Sequence, residues 1–477
     1  MSKIIGRVQE KKLLTQALTS EVSEFVAVTG RRRVGKTYLI DQLYTGHYCF
    51  TLTGVQNGNL AIQLALFSAQ LAKYDGTGNQ QQFINWLEAF QALEVYAESL
   101  PKDAKQVIFL DELPWIATPR SEFLTFLGHF WNSYLSKHTH FVLVICGSAT
   151  SWIVEKVLAN AGGLHNRVTC RIHLYPFTLG EANAFLTAKK IHLSPDDLAR
   201  TYMMLGGIPF YLNQLQRGDS VATGIERICF SPAGQLRREY ENLYRALFRG
   251  GDKHIAVVNA LAAKPEGLNR KEILAAVPNL SVGTYAKVID ELEVSDFIRR
   301  DVPYRRRKRG TLYRLIDEYS IFYHRFIKPM RQHTPGIWVQ QASTQTYRIW
   351  SGHAFEVLCH KHIPAIKAAL GITSVFTEAY RLRLAQADGQ PGTQIDLLLD
   401  RADNVVNLCE IKFHRTGIRV DRVLEQNLTH KRERLLQLLP NTKRVIVTAI
   451  TNHPLLDRWE ESVVDVNVTL EEMLNEM

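Results

Sequence analysis

Apolar residues change period several times along the chain, and each change marks an element. Glu24 to Thr29 is a short, nearly continuous apolar run of strand length. A Gly- and Arg-rich turn follows, and then Tyr38, Leu39 and Leu43 at helical spacing. Gln106 to Leu110 and Phe141 to Cys146 repeat the strand pattern, with helical stretches between them, the alternation of a parallel sheet covered by helices. From Gly180 to about Phe248 the pattern is helical, broken at Gly206-Gly207-Ile208-Pro209, and predicts a helical lid. Lys253 to Ala263, Asn269 to Val277 and Ser281 to Leu292 predict three short helices, the last two opened by the N-caps Asn269 and Ser281. Phe297 to Arg300 and Leu312 to Leu315 then pair as a hairpin, so this segment predicts a winged helix-turn-helix. A helix near Ile349, strands Ser374 to Leu384, Gln394 to Leu399 and Val405 to Phe413, a polar helix from about Val420 to Leu438 and a strand Arg444 to Ile450 complete the chain.

The expected organisation is 1–175 as an α/β parallel-sheet core, 176–248 as lid, 249–330 as winged helix and 345–477 as a second α/β domain. A length of 477 residues is too great for one core, and 46% hydrophobic with 22% charged residues excludes a disordered or fibrous chain. No apolar run approaches the ~20 residues that span a bilayer, and the start lacks a signal-peptide pattern, so a cytoplasmic protein without a membrane partner is expected. Six widely spaced cysteines without a C-x-x-C pair read as reduced thiols.

The chemistry begins at Gly30-Arg31-Arg32-Arg33-Val34-Gly35-Lys36-Thr37, which fits G-x-x-x-x-G-K-[ST] after a strand and before a helix. Backbone N–H groups can wrap phosphates only where side chains leave room, hence Gly30 and Gly35, and the helix N-terminus adds positive potential. Lys36 would reach the β- and γ-phosphates of ATP and Thr37 would hold Mg²⁺. Asp111 and Glu112 end a buried strand at its C-terminal edge, where open α/β sheets bind ligands. They suit organising Mg²⁺ and polarising the attacking water, in that order. Two acids after a strand also read as a helix N-cap; the loop upstream favours the catalytic reading.

These residues resemble the AAA+/STAND group of P-loop ATPases, and the triple-Arg loop is similar to that of prokaryotic ATPases with a C-terminal nuclease-like domain. The resemblance implies that Arg7, in Gly6-Arg7-Val8-Gln9-Glu10, contacts the nucleotide near its base, and that Tyr38 borders the same site. It places Ser148 as a polar sensor of the γ-phosphate, Pro209 in the lid motif and Arg167 as an arginine finger. A finger acting in trans would require a homo-oligomer.

Net charge is +10, and its location changes the picture. Residues 246–330 hold 16 basic against 10 acidic side chains, a net of +6. Seven bases, Arg299, Arg300, Arg305, Arg306, Arg307, Lys308 and Arg309, fall within eleven residues and are opposed only by Asp301. Such a wing would lie along DNA phosphates while the third helix, with Ser281, Thr284, Tyr285 and Lys287, approaches the major groove. The alternative is a solvated tip or a protein-docking wing.

Asp396 and Glu410-Ile411-Lys412 flank a turn at Arg401 to Asn404, which sets 396 opposite about 409 or 410, with 410 and 412 on one face. Two carboxylates and a lysine so placed suit Mg²⁺-dependent phosphodiester cleavage, and Glu356 can add a third carboxylate. The element order with D-x13-E-x-K resembles the PD-(D/E)xK nuclease superfamily and its restriction-endonuclease-like relatives, although Ile395 stands where the name has proline. The whole sequence therefore points to an ATP-hydrolysing, DNA-binding protein with a nuclease-like C-terminal domain. The alternative is a nucleotide-dependent switch that binds DNA or a partner and carries an inactive centre.

Overall fold

The computed structural model describes residues 4–159, 163–164, 166–248, 250–305, 310–330, 334–386, 391–456 and 459–475. The chain divides into two compact units, one of residues 1–175 with 247–249 and 290–295, the other of the remaining residues.

The first unit is built on five parallel strands, β1 (Glu24–Thr29), β2 (Tyr48–Thr53), β3 (Gln106–Asp111), β4 (Phe141–Cys146) and β5 (Cys170–His173), in the order β2-β3-β4-β1-β5. All six residues of β4 are buried, as a central strand covered on both faces requires. The core includes Phe25, Phe67, Trp86, Phe90, Phe123 and Phe130. β2 is absent from the strands read in the sequence; it lies at the sheet edge, and Thr51 and Thr53 interrupt its apolar pattern. The order matters for chemistry. β4 lies between β1 and β3, so residues just past its C-terminal end emerge between the loop after β1 and the acids after β3.

After residue 250, the hairpin β6 (Ile298–Asp301) and β7 (Leu312–Leu315) follows helices α1 (Asp252–Ala262), α2 (Arg270–Ala276) and α3 (Val282–Val294), of which residues 290–294 count with the first unit and the rest with the second. Asn269 closes a capping box with Glu272, and Ser281 accepts from the Thr284 N–H at 3.3 Å. A second sheet joins β8 (Thr377–Leu384), β9 (Thr393–Arg401), β10 (Val405–Lys412), β11 (Arg444–Thr451) and β12 (Val466–Thr469), in the order β12-β11-β10-β9-β8. β8 to β10 are antiparallel and β10 to β12 parallel. Helices α4 (Gln345–Lys361) and α5 (Arg422–Leu436) belong to this part. Among the described residues, no helix is long and apolar enough to cross a membrane, and all six cysteines are free.

Gly206 and Gly207 show why the break before Pro209 carries two glycines. Gly206 has φ +65°, and a Cβ on Gly207 would stand 1.9 Å from the Phe177 carbonyl oxygen.

Candidate functional site

The turn after β1 is shaped by its glycines. Gly30 has φ +137°, and a Cβ there would come within 2.4 Å of the Leu174 carbonyl oxygen. Gly35 has φ +90° and open space where its Cβ would be, which leaves a cradle over the loop. The helix Lys36–Tyr44 starts at Gly35 with no side-chain cap, so its N-terminus is left for a ligand. Arg33 also takes a left-handed conformation at φ +73°. Arg31 and Val34 are buried, Arg32 and Arg33 half-buried, and Thr37 and Tyr38 exposed. Buried Arg7 reaches the Val34 carbonyl at 3.4 Å, which ties the N-terminal box to the loop.

Lys36 is buried, and its ammonium donates to the carbonyls of Gly30 at 2.8 Å and Arg31 at 3.0 Å and to the Ser148 hydroxyl at 3.2 Å. Thr37 donates to Asp111 Oδ2 at 2.9 Å. The other Asp111 oxygen accepts the Glu112 N–H at 2.9 Å. Ser148 holds both oxygens of Glu112, through its hydroxyl at 2.8 Å and its N–H at 3.2 Å. Glu112 has φ +47°, an unfavourable conformation for a non-glycine residue and one that occurs at functional turns. Five residues from three segments therefore form one hydrogen-bonded chain, from Lys36 through Ser148 to Glu112 and from Thr37 to Asp111. The Thr37 hydroxyl and Asp111 carboxylate are hard oxygen donors of the type Mg²⁺ takes. Thr150 escaped sequence reading. Its buried hydroxyl accepts the Gly30 N–H at 3.1 Å and so braces the loop; a threonine two residues past Ser148 was the available signal. Arg167 lies exposed in the turn before β5, and Pro209 opens the short helix Pro209–Leu212 of the second unit.

In the second unit, the register pairs Leu397 with Cys409, so Asp396 and Glu410 stand opposite each other on one face. Both are buried. The Ile411 N–H donates to Asp396 Oδ2 at 3.1 Å. Glu410 has Lys412 at 2.7 Å on one oxygen and Lys431, from α5, at 2.6 Å on the other. Glu356 on α4 is held by Arg381 at 2.9 Å. Burial and the charge of Glu410 push the Asp396 carboxyl up. Burial pulls Glu410 the same way, but Lys431 and Lys412 outweigh it and hold that carboxyl down. Burial, aided by Asp396 and opposed by Arg381, raises Glu356 to about 7. Among the described residues, no group of three or more His, Cys, Asp or Glu side chains is placed to hold a metal ion. The reason is that basic side chains occupy the acids. Lys431 was missed by motif reading, yet it stands on the stripe Leu424, Leu428, Leu435, where an apolar residue is expected.

The basic hairpin is less free than its sequence suggests. Asp301 pairs with Arg299 at 2.9 Å and Arg314 at 2.5 Å. Arg300 lies over the Tyr313 ring, and Arg305 packs on Tyr304 and donates to the Leu438 carbonyl at 3.2 Å. Arg306, Arg307, Lys308 and Arg309 lie outside the described residues. Tyr285, expected on the presented face of α3, is buried under Arg270 and against Tyr313, whereas Ser281 and Lys287 are exposed. Position 285 shares a helical face with Val288, Ile289 and Leu292, which explains its burial.

Residues 5–215 match the family model described as an ATPase domain predominantly from Archaea. An uncharacterized protein of Methanocaldococcus jannaschii is 26% identical over 359 residues, 74% of this chain and 75% of that protein. The Walker-type ATPase of Pyrococcus abyssi superposes with a TM-score of 0.52 at 15% identity, covering 68% of this chain and 96% of that one. The ORC2 protein of Aeropyrum pernix, in its ADPNP–ADP complexes, gives a TM-score of 0.43 at 14% identity, covering 72% and 97%. The segment 5–215, with its five-stranded parallel sheet and its loop, is a P-loop ATPase domain.

Proposed function

We propose that the chain hydrolyses ATP in its first unit and binds DNA through its second, with a nuclease-like centre on the second sheet. The observation that carries the reading is the hydrogen-bonded chain of Lys36, Ser148, Glu112, Thr37 and Asp111 at the C-terminal edge of the parallel sheet. On nucleotide entry, Lys36 exchanges the carbonyls of Gly30 and Arg31 for β- and γ-phosphate oxygens, while loop N–H groups cradle the phosphates. Thr37 and Asp111 would hold Mg²⁺, which offsets phosphate charge when bound. Glu112 orients the attacking water and takes its proton as the oxygen–phosphorus bond forms and the bond to ADP breaks. Ser148 sets the plane of the Glu112 carboxylate and reads the γ-phosphate. Arg7 and Tyr38 border the nucleotide, and Arg167 serves as the finger.

DNA binding rests on the net basic excess of 246–330, which includes Arg306 to Arg309 in the sequence between β6 and β7, and on the exposed Lys287. The second reading, a nucleotide-dependent switch whose C-terminal centre does not cut, is favoured by the ion pairs that occupy Glu410 and Glu356. The test is steady-state ATP hydrolysis with and without duplex DNA. Wild type turns over, and Lys36→Ala does not. Turnover by Lys36→Ala equal to wild type would remove the first unit from the chemistry.

A further inference from the structure

Lys431 lies within the buried helix face of α5 that covers the second sheet, and its side chain is 9% exposed. Leu428 and Leu435 flank it on the same stripe and are fully covered, so a leucine or methionine at 431 would pack there without cost in charge. Burying an ammonium costs several kcal/mol unless an acid repays it. The repayment here is Glu410 Oε2 at 2.6 Å, with Lys412 on Oε1 at 2.7 Å. In direct contact, Arg381 pairs with Glu356 while Lys412 and Lys431 pair with Glu410, so three cations hold the two carboxylates that stand beside Asp396. A divalent cation needs surplus negative charge and carboxylate oxygens with lone pairs to spare. Lys431 comes from α5, outside the strand pair that carries Asp396, Glu410 and Lys412, and it takes the second oxygen of Glu410.

We propose that Lys431 is a positioning residue that holds Glu410 in the place a divalent cation would take, so that the centre as folded is closed to metal. The proposal rests on the nuclease-like reading of the second sheet, because only there does a metal have a use. It assigns to α5 the control of that centre. Whatever moves Lys431 off Glu410, a shift of α5 or a phosphate that draws the ammonium away, leaves Asp396 and Glu410 with net negative charge and opens the site. Lys412 stays beside the acids in either state, as a nearby cation for a phosphodiester.

The test uses the full-length chain in a Thr37→Ala/Asp111→Asn background, which silences the cation donors of the first unit, and titrates Mn²⁺ without nucleotide by calorimetry. Lys431→Met should gain one Mn²⁺ site bound at least about tenfold more tightly than any in the Lys431 parent, the effect of removing one adjacent like charge. Adding Asp396→Asn should abolish the gained site, and Lys431→Arg should stay closed. Lys431→Gln serves as a second variant, and thermal melts confirm that each is folded. If the parent already binds Mn²⁺ through Asp396 and Lys431→Met binds no more tightly, the closure is wrong while the nuclease-like reading survives. If folded Lys431→Met and Lys431→Gln bind no Mn²⁺, the closure fails together with the reading of the centre as a metal site.

Discussion

Ser148→Ala separates holding a nucleotide from turning it over. The Ser148 hydroxyl stands between Lys36, 3.2 Å away, and Glu112, 2.8 Å away, while the Ser148 N–H keeps the second Glu112 oxygen at 3.2 Å. Alanine removes the hydroxyl and leaves the N–H, so the Glu112 carboxylate loses one of two bonds that fix its plane. A hydrogen bond to a charged partner contributes about 1.5 to 3 kcal/mol. Most of the grip on the phosphates would come from the loop N–H groups and Lys36, with the Ser148 hydroxyl engaged chiefly by Glu112. The cost therefore falls on the transition state, about 2 kcal/mol, and kcat drops roughly thirtyfold with KM for ATP within about twofold of wild type. Ser148→Thr, which keeps the hydroxyl, should recover most of kcat. Steady-state ADP release across ATP concentrations gives both constants. A raised KM with unchanged kcat would show that Ser148 serves ground-state binding, and unchanged values for both would show that Glu112 needs no positioning.

The second unit should be acid-labile. His362 Nε2 accepts the Leu179 N–H at 2.9 Å and its Nδ1 lies 2.8 Å from the Leu358 carbonyl, so the neutral ring is the one that fits. Burial lowers both His362 and His324 to about 4. Unfolded histidine takes its proton near 6.5, so stability present above that pH is lost as pH falls toward 4, by up to about 3 kcal/mol per ring. Thermal midpoints should fall from pH 7 to pH 5 and fall less in His362→Gln; a flat profile would refute the burial argument. For the hairpin, replacing Arg306, Arg307, Lys308 and Arg309 with glutamine should reduce the slope of log affinity against log salt by up to about four in DNA-binding titrations. Arg305 is left out because its guanidinium is committed to Leu438. An unchanged slope would take the hairpin out of the DNA interface.

The first-unit site was legible because its chemistry is local. Gly30 to Thr37 is one continuous segment, and the special backbone angles at Gly30 and Gly35 are demanded by the residues themselves. Asp111 ends a strand and Glu112 and Ser148 stand just past one, and parallel strands deliver their C-terminal residues to one edge without further information. The contact of Ser148 with both Lys36 and Glu112 was not legible, because it depends on β4 lying between β1 and β3. In the second sheet, strand alternation was enough to oppose Asp396 and Glu410. Lys431 comes from a helix more than twenty residues away, and only the packing of α5 on the sheet brings it to Glu410. Charge counting along the hairpin likewise found the bases but not their partners, since Arg305 is engaged by a carbonyl 133 residues away.

The two centres differ in what a ligand must displace. In the first, Lys36 rests on two carbonyls and a hydroxyl, neutral acceptors whose exchange for phosphate oxygens gains charge. The loop is poised to let its lysine go. In the second, Lys431 rests on a full carboxylate inside the protein, and a cation arriving at Glu410 would have to dislodge that ammonium before gaining anything. The same residue type, buried to a similar degree, therefore leaves one centre open to its ligand and keeps the other shut. It follows that a phosphate at the first centre would meet only neutral acceptors on Lys36, whereas a metal at the second sheet would have to wait until Lys431 leaves Glu410.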